Sequence, residues 1–142
     1  MTSPTSPTPT PTPTSMTELP TSFGALKPVG HVLIALRTVQ QQSILEVALL
    51  EEGWAPEQLA EFKPRDSVQE LTGLVDNAGG MAGFGYEITL MRRYLELARN
   101  GHRWLLVRVD DDTKAQRVGE LARLYGASAA VHYRTLTIEE LV

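Results

Sequence analysis

The chain has 142 residues, a formal net charge of −4 and no cysteine. This length is enough for one domain with a buried core, and the lack of cysteine excludes disulfide bonds, thiolate catalysis and cysteine-ligated metal centres. The acidic balance disfavours a general attraction to nucleic acid. No apolar run approaches the roughly 20 residues that span a membrane, and the N-terminus lacks a secretory signal pattern. We therefore expect a cytoplasmic protein.

The N-terminal segment differs in composition from the rest of the chain. Residues 1–22 hold six of the nine prolines and a single charged side chain, Glu18. Such a segment has too little apolar surface to offset the entropy lost on folding. We expect residues 1–26 to form a disordered, Pro/Thr-rich tail and residues 27–142 to form a single α/β domain.

The first half of this domain alternates between strand and helix patterns. His31–Leu36 is an almost continuous apolar run, which predicts a strand buried on both sides. A helix is predicted next, and residues 59–63 form a short candidate strand that Pro64 ends. In the helix, we expect one face formed by Ile44, Val47, Ala48 and Glu51, with Leu45 and Leu49 on its flank.

The second half repeats the alternation after a helical stretch. Helical spacing of apolar residues is found before the glycines at 79–85 and again over residues 86–100. Residues 102–109 then give the strongest strand pattern in the chain, because β-branched and aromatic residues are concentrated there. A helix that Asp111 or Asp112 caps and a strand over residues 129–134 follow, and the last residues extend that strand or fray.

This order predicts the topology of the sheet. Two strand–helix–strand units imply an α/β (α+β) two-layer sandwich, and the economical solution is a ferredoxin-like βαββαβ fold with its strands in the spatial order 4-1-3-2. The segment of about residues 64–100 is then a helical, glycine-containing insertion between strands 2 and 3. The same order places His31 and His132 on neighbouring strands, although a metal site needs a third ligand that no spacing indicates.

The glycine-rich segment "GGMAGFG", residues 79–85, invites a nucleotide-binding interpretation. It has neither the lysine and hydroxyl of a Walker loop nor the strand that precedes a dinucleotide-binding fingerprint. We therefore interpret it as a break between two helices, although the free N–H groups of a helix starting at Tyr86 could receive an anion. The candidate ligand-binding residues are Gly83, Gly85, Tyr86, Arg92 and Arg93.

Catalytic patterns are weaker still. "DDD" at residues 110–112 suggests magnesium, but carboxylates between a strand and a helix are explained by capping of free N–H groups. No serine lies in a nucleophile-elbow sequence. We expect no catalytic residue, no cofactor and no metal ion.

Two stretches resemble a known family. The first is "YLELARNGHRWLLVRVDDDTKAQRVGELARLYGA", and the second is the opening "HVLIAL" followed by "SILEVALLEEGW". Both are similar to the small α/β domain of bacterial general stress and heat-induced stress proteins, over about residues 30–134. The resemblance implies a stress-associated protein without established catalytic residues. It also implies a glycine- and alanine-rich helical insertion, which is shorter and more polar in this chain.

These observations favour a non-enzymatic, stress-associated domain that acts by self-association or by binding a protein partner. A homodimer is expected because sheets of this kind have exposed edges that often pair. The alternative is a regulatory domain in which the segment Gly79 to Tyr86 binds a small anion or a nucleotide.

Overall fold

The computed structural model describes residues 12–22, 24–78 and 85–142, which form a mixed α/β fold. The strands are β1 (Thr21–Ser22), β2 (Ala25–Leu26), β3 (His31–Leu36), β4 (Leu59–Phe62), β5 (Arg103–Arg108), β6 (Ala129–Tyr133) and β7 (Ile138–Glu140). The helices are α1 (Val39–Glu51), α2 (Pro64–Ala78), α3 (Tyr86–Arg99) and α4 (Asp112–Leu124). Met16–Glu18 and Pro56–Gln58 form single turns of 3-10 helix.

Five strands form the main sheet in the order β4-β5-β3-β6-β7, and each neighbouring pair is antiparallel. Strand β3 lies at the centre, where Leu33 is paired with Leu106 on one side and with Val131 on the other. The residues that were expected either to extend the last strand or to fray form β7, which pairs with β6. Strands β1 and β2 form a separate two-stranded sheet.

One face of the main sheet is covered by α1 and α4. Alternate residues of the central strands, such as Val32 and Ile34, point to this side because successive side chains of a strand lie on opposite faces. They pack against Leu45 and Leu49 of α1 and Val118 of α4, all fully buried. This layer is the one that the strand–helix–strand pattern predicts.

The opposite face is covered by α2 and α3. Leu33 and Trp104 point to this side and pack against Leu71 of α2 and Met91 and Tyr94 of α3. The α/β sandwich therefore has three layers, and the prediction of two layers was wrong in that respect. The physical reason is the continuous apolar run of β3, which needs a cover on both faces.

The predicted boundary at residue 27 also needs correction. Met16 and Leu26 are fully buried and Leu19 nearly so, and all three belong to the core beneath α2 and α3. The Met16 backbone N–H also donates to Glu70 Oε2 of α2 at 2.8 Å. Residues 12–22 and 24–26 are thus part of the folded domain, while residues 1–11 of the predicted tail lie outside the described residues.

Within the described ranges, no helix combines the length and the apolar composition needed to cross a membrane.

Candidate interaction surface

Helix α1 has a well-defined start and an unusual distribution of apolar residues. The Thr38 hydroxyl accepts from the Gln41 N–H at 3.1 Å, and Gln41 Oε1 accepts from the Thr38 N–H at 3.2 Å. This reciprocal pair is a capping box, which fixes the first turn. Apolar residues then occur around the whole circumference of the helix. Whichever side packs on the sheet, some apolar side chains therefore face water.

The side that packs on the sheet carries Gln42, Leu45 and Leu49. Gln42 is only 3% exposed, and both ends of its amide are hydrogen-bonded: Nε2 donates to the Trp104 carbonyl at 3.4 Å, and Oε1 accepts from Arg103 Nε at 2.8 Å. Ile44 and Val47, which the sequence places on one face with Leu45 and Leu49 only on its flank, point away from the sheet. That assignment of the principal face was wrong, because the bonds of Gln42 set the rotation of the helix.

The exposed side of α1 forms an apolar surface, here named the α1 apolar face. Its four residues have exposed fractions of 39% or more: Val39 54%, Ile44 51%, Val47 54% and Leu50 41%. They make up half of the eight large apolar residues that are exposed in the described part of the chain. A clustered set of this kind makes the face a candidate interaction surface, whereas scattered apolar residues need no explanation.

A shallow groove of about 270 Å³ runs along this face. Its walls are formed by Ile44, Val47 and Ala48 of α1 and by Tyr125, which ends α4. The groove therefore extends from α1 to the end of the neighbouring helix.

The charges at the two ends of α1 are opposite in sign. Arg37 lies just before the capping residue, and Glu51 lies in the last turn. Both side chains are exposed. The first turn has no acidic residue and the last turn has no basic residue, which is the reverse of what the helix dipole favours. Among the described residues, neither Arg37 nor Glu51 takes part in an ion pair.

The adjacent Glu52 is different because it is paired. Arg117 of α4 donates to both of its carboxylate oxygens, at 2.6 and 2.7 Å, and this bond lowers the pKa of Glu52. The bidentate contact ties the end of α1 to α4.

A carboxyl pair lies at another side of α1. Burial, and then a hydrogen bond and charge repulsion from Glu61 of β4, raise the pKa of Glu46 to about 8. Two neighbouring carboxyl groups hold one proton between them more readily than they both ionise, because the two negative charges would repel each other. The pair is therefore sensitive to pH in the neutral range.

The structure separates the predicted ligand-binding residues. Gly83 lies outside the described residues, Gly85 precedes the first turn of α3, and Arg92 is exposed. Tyr86 and Arg93 come together around a carboxylate of the chain itself: the Tyr86 hydroxyl donates to Glu140 Oε2 at 2.5 Å, and Arg93 Nη1 donates to Glu140 Oε1 at 2.6 Å. The side chains of Tyr86 and Arg93 are thus both engaged by a carboxylate of the chain itself.

These contacts change the acidity of both partners. The bond to Glu140 is the main cause that raises the pKa of Tyr86 to about 12, and the same bond and Arg93 lower the pKa of Glu140. Both groups remain substantially exposed. The contact connects α3 to the last strand, β7.

The histidines do not form a common site. His31 is paired in register with Tyr133 and His132 with Val32, so the two rings lie on opposite faces of the sheet. His102 lies near the other end of the sheet, and both of its ring nitrogens are hydrogen-bonded. Nδ1 is 3.0 Å from the Leu97 carbonyl oxygen, and Nε2 is 2.8 Å from the Ser128 hydroxyl. No group of three potential metal ligands is found in residues 12–22, 24–78 and 85–142.

The three aspartates have structural partners. Asp111 caps α4, with its Oδ1 accepting from the Lys114 N–H at 2.8 Å, which confirms the predicted capping role. Asp110 pairs with the Lys114 ammonium at 3.2 Å, and Asp112 pairs with Arg134. Each carboxylate is thereby assigned a contact within the fold.

The α1 apolar face is a candidate surface that the sequence patterns did not identify. The signal was present, because the helix shows no net apolar side, and this should have indicated a helix that needs contacts in more than one direction. Comparisons of the chain with protein-family models, with curated proteins and with solved structures find no match.

Proposed function

We propose that this chain is a non-enzymatic, stress-associated binding domain that acts by association through the α1 apolar face. The observation that carries the proposal is the exposure of Val39, Ile44, Val47 and Leu50 on one helix. Complete burial of an exposed side chain of this type is worth about 1.5 to 3 kcal/mol. The four are 41% to 54% exposed, so a surface that covers them gains part of that free energy at each position. The cytoplasm is the proposed location.

The proposal includes a ferredoxin-like topology and membership of the stress-protein family. The order β4-β5-β3-β6 supports the topology, because it is the order 4-1-3-2 read from the other edge. Strand β7 and the α2–α3 layer are then additions to that fold. The stress association rests on the resemblance of the two sequence stretches to bacterial stress proteins, over about residues 30–134.

The binding role is tested by photo-crosslinking in the host cell. Benzoylphenylalanine is placed at position 47, on the face, or at position 136, where Leu136 is 91% exposed and lies in the turn between β6 and β7. We expect covalent adducts at position 47 in clear excess over position 136, whatever the partner is. The binding role would be overturned by equal amounts of adduct at positions 47 and 136, or by the absence of adducts at both.

The stress association has its own test. We expect the amount of the protein in its host cell, measured by quantitative mass spectrometry, to rise after a temperature upshift. An unchanged amount removes the stress component and leaves the binding role intact.

A second candidate function is the binding of a small anion or a nucleotide near the start of α3. The specific observation in its favour is that Tyr86 and Arg93 already hold the carboxylate of Glu140. An external anion has to displace that carboxylate, so it should raise the melting temperature of a Glu140→Ala variant more than that of the wild type. A panel of phosphate and nucleotides without effect on either protein excludes this function.

A further inference from the structure

We infer that the α1 apolar face is covered by a second copy of this chain, with the two α1 helices antiparallel about a twofold axis. The inference rests on the proposed binding role and names the partner. It follows from the charges at the helix ends, the spacing of the apolar residues and the character of the sheet edges.

The charges make the face complementary to itself when it is reversed. Arg37 stands at the start of α1 and Glu51 in its last turn, both exposed and without an ion pair in the described part of the chain. Each lies at the helix end whose dipole has the same sign. An antiparallel copy brings Arg37 of one subunit to Glu51 of the other, and it also aligns the two dipoles favourably.

The spacing of the residues fits such a pair. If the twofold axis passes midway between Ile44 and Val47, Ile44 of one subunit opposes Val47 of the other. By the same symmetry, Gln40 opposes Glu51, and the long side chain of Arg37 reaches Glu51 from the preceding turn. A twofold contact of this kind uses the same patch on both subunits, so that it closes at a dimer.

The groove beside the face can receive side chains of the second helix. Its walls include Tyr125, so the opposing apolar side chains can insert between α1 and the end of α4. Packed helices lie about 8 to 10 Å apart, which requires side chains of one helix to enter the grooves of the other.

The sheet edges are less suited to the dimer contact that the sequence suggested. The outermost strand β7 has the sequence Ile-Glu-Glu, and Glu61 lies in the opposite edge strand β4. Charged residues on edge strands hinder the pairing of sheets. The apolar helix face therefore provides the better surface.

The area of one helix face is small by the standards of permanent dimers, which bury about 2,000 Å² or more. We therefore expect a reversible dimer with a dissociation constant in the micromolar range, about 1 to 100 μM. Sedimentation equilibrium of the full-length protein measures it directly.

Cysteine cross-linking tests the orientation, because the chain contains no cysteine that could interfere. Gln40→Cys and Glu51→Cys proteins are mixed and oxidised. We expect the disulfide between positions 40 and 51 to form at about ten times the yield of 40–40 or 51–51 disulfides. A Leu136→Cys protein, exposed but outside the face, gives the background level.

Charge reversal tests the ion pairs independently. Arg37→Glu and Glu51→Arg should each raise the dissociation constant by about tenfold, whereas the double variant should restore it, since both pairs of the dimer are then re-formed with opposite sign. Both positions are exposed, and circular dichroism checks that each variant is folded.

A wild-type protein that stays monomeric at about 1 mM overturns the inference. Predominant 40–40 and 51–51 disulfides do so as well, because they indicate a parallel contact. If adducts to other proteins still form at position 47 in cells, the binding role stands while the second copy is excluded as the partner.

Discussion

The hydroxyl groups of Tyr94 and Tyr133 lie 2.6 Å apart in the core, and neither side chain is accessible to water. Tyr94 belongs to α3 and Tyr133 to β6, so this hydrogen bond connects the α2–α3 layer to the sheet. Burial raises the pKa of both tyrosines. One hydroxyl donates to the oxygen of the other, so each depends on the other for this hydrogen bond.

Replacing one tyrosine of this pair by phenylalanine should lower the free energy of unfolding, because the remaining hydroxyl loses its partner. Tyr94→Phe leaves the Tyr133 hydroxyl buried without a partner, which costs about 1 to 3 kcal/mol of unfolding free energy. The double variant Tyr94→Phe/Tyr133→Phe should cost less than the sum of the two single changes. Urea unfolding of the four proteins measures the coupling, and additive effects would show that the hydroxyls do not depend on each other.

Gly119 of α4 should not tolerate a methyl group. A Cβ atom at this position would lie 2.9 Å from Leu141 Cβ, so Gly119→Ala overpacks the contact at a cost of about 1 to 3 kcal/mol. In α2, nothing lies within 4 Å of a Cβ atom at Gly73, and Gly73→Ala should stabilise the protein by about 0.5 to 1 kcal/mol through helix propensity. Thermal unfolding distinguishes the two, and equal stabilisation would show that Leu141 is not held against α4.

The carboxyl pair of α1 and β4 should make stability depend on pH. The pKa of Glu46 is raised from 4.5 to about 8 in the folded protein, so the folded state binds this proton more tightly than the unfolded state. The resulting contribution to stability is fully present below about pH 4.5 and is lost as the pH rises through about 8. Glu46→Gln should flatten this decline.

Urea unfolding of the wild type and of Glu46→Gln, between about pH 5 and pH 9, provides the measurement. Glu96→Gln, at an exposed position of α3, is the matched control. If the decline persists in Glu46→Gln to the same extent as in the control, another group is responsible.

The contact of Tyr86 with Glu140 should be visible in a tyrosine titration. The hydrogen bond to Glu140 is the largest cause that raises the pKa of Tyr86 from 10.0 to about 12, so Glu140→Gln should return this pKa towards 10.0. Phenolate absorbance follows the titration, and a Tyr86→Phe protein identifies the step that belongs to this residue. If the titration step of Tyr86 is unchanged in Glu140→Gln, the hydrogen bond to Glu140 does not determine the pKa of Tyr86.

The regular elements could be predicted because their patterns are strong. His31–Leu36 and Arg103–Arg108 are almost wholly apolar between their first and last residues, and such runs in a chain of this length indicate central strands. The cap of α4 was also predictable, since a carboxylate before a helix has a defined use for its oxygens.

The orientation of α1 was not predictable from the positions of its apolar residues. Because they occur on all sides, periodicity offers no preferred face. The choice depends on Gln42, whose partners Arg103 and Trp104 are about 60 residues away in sequence. Long-range hydrogen bonds of this kind leave no trace in local spacing.

The contribution of residues 12–26 was missed for a related reason. In the sequence, Met16, Leu19, Phe23 and Leu26 are scattered among proline, serine, threonine and other polar or small residues, and scattered apolar side chains of this kind resemble those of a linker. The burial of Met16, Leu19 and Leu26 depends on the space beneath α2 and α3, which exists only once the second helical layer is in place. The contact of Tyr86 with Glu140 likewise joins residues that are 54 positions apart.

The sheet divides the interior into two clusters of buried side chains, one beneath α1 and α4 and the other beneath α2 and α3. Substitutions at sites that share no neighbours usually have additive effects on stability. Each layer can therefore accumulate changes without compensation in the other. The α1–α4 side, which carries the α1 apolar face, can change while the α2–α3 side is preserved, so evolution can alter the partner of this protein without rebuilding its fold.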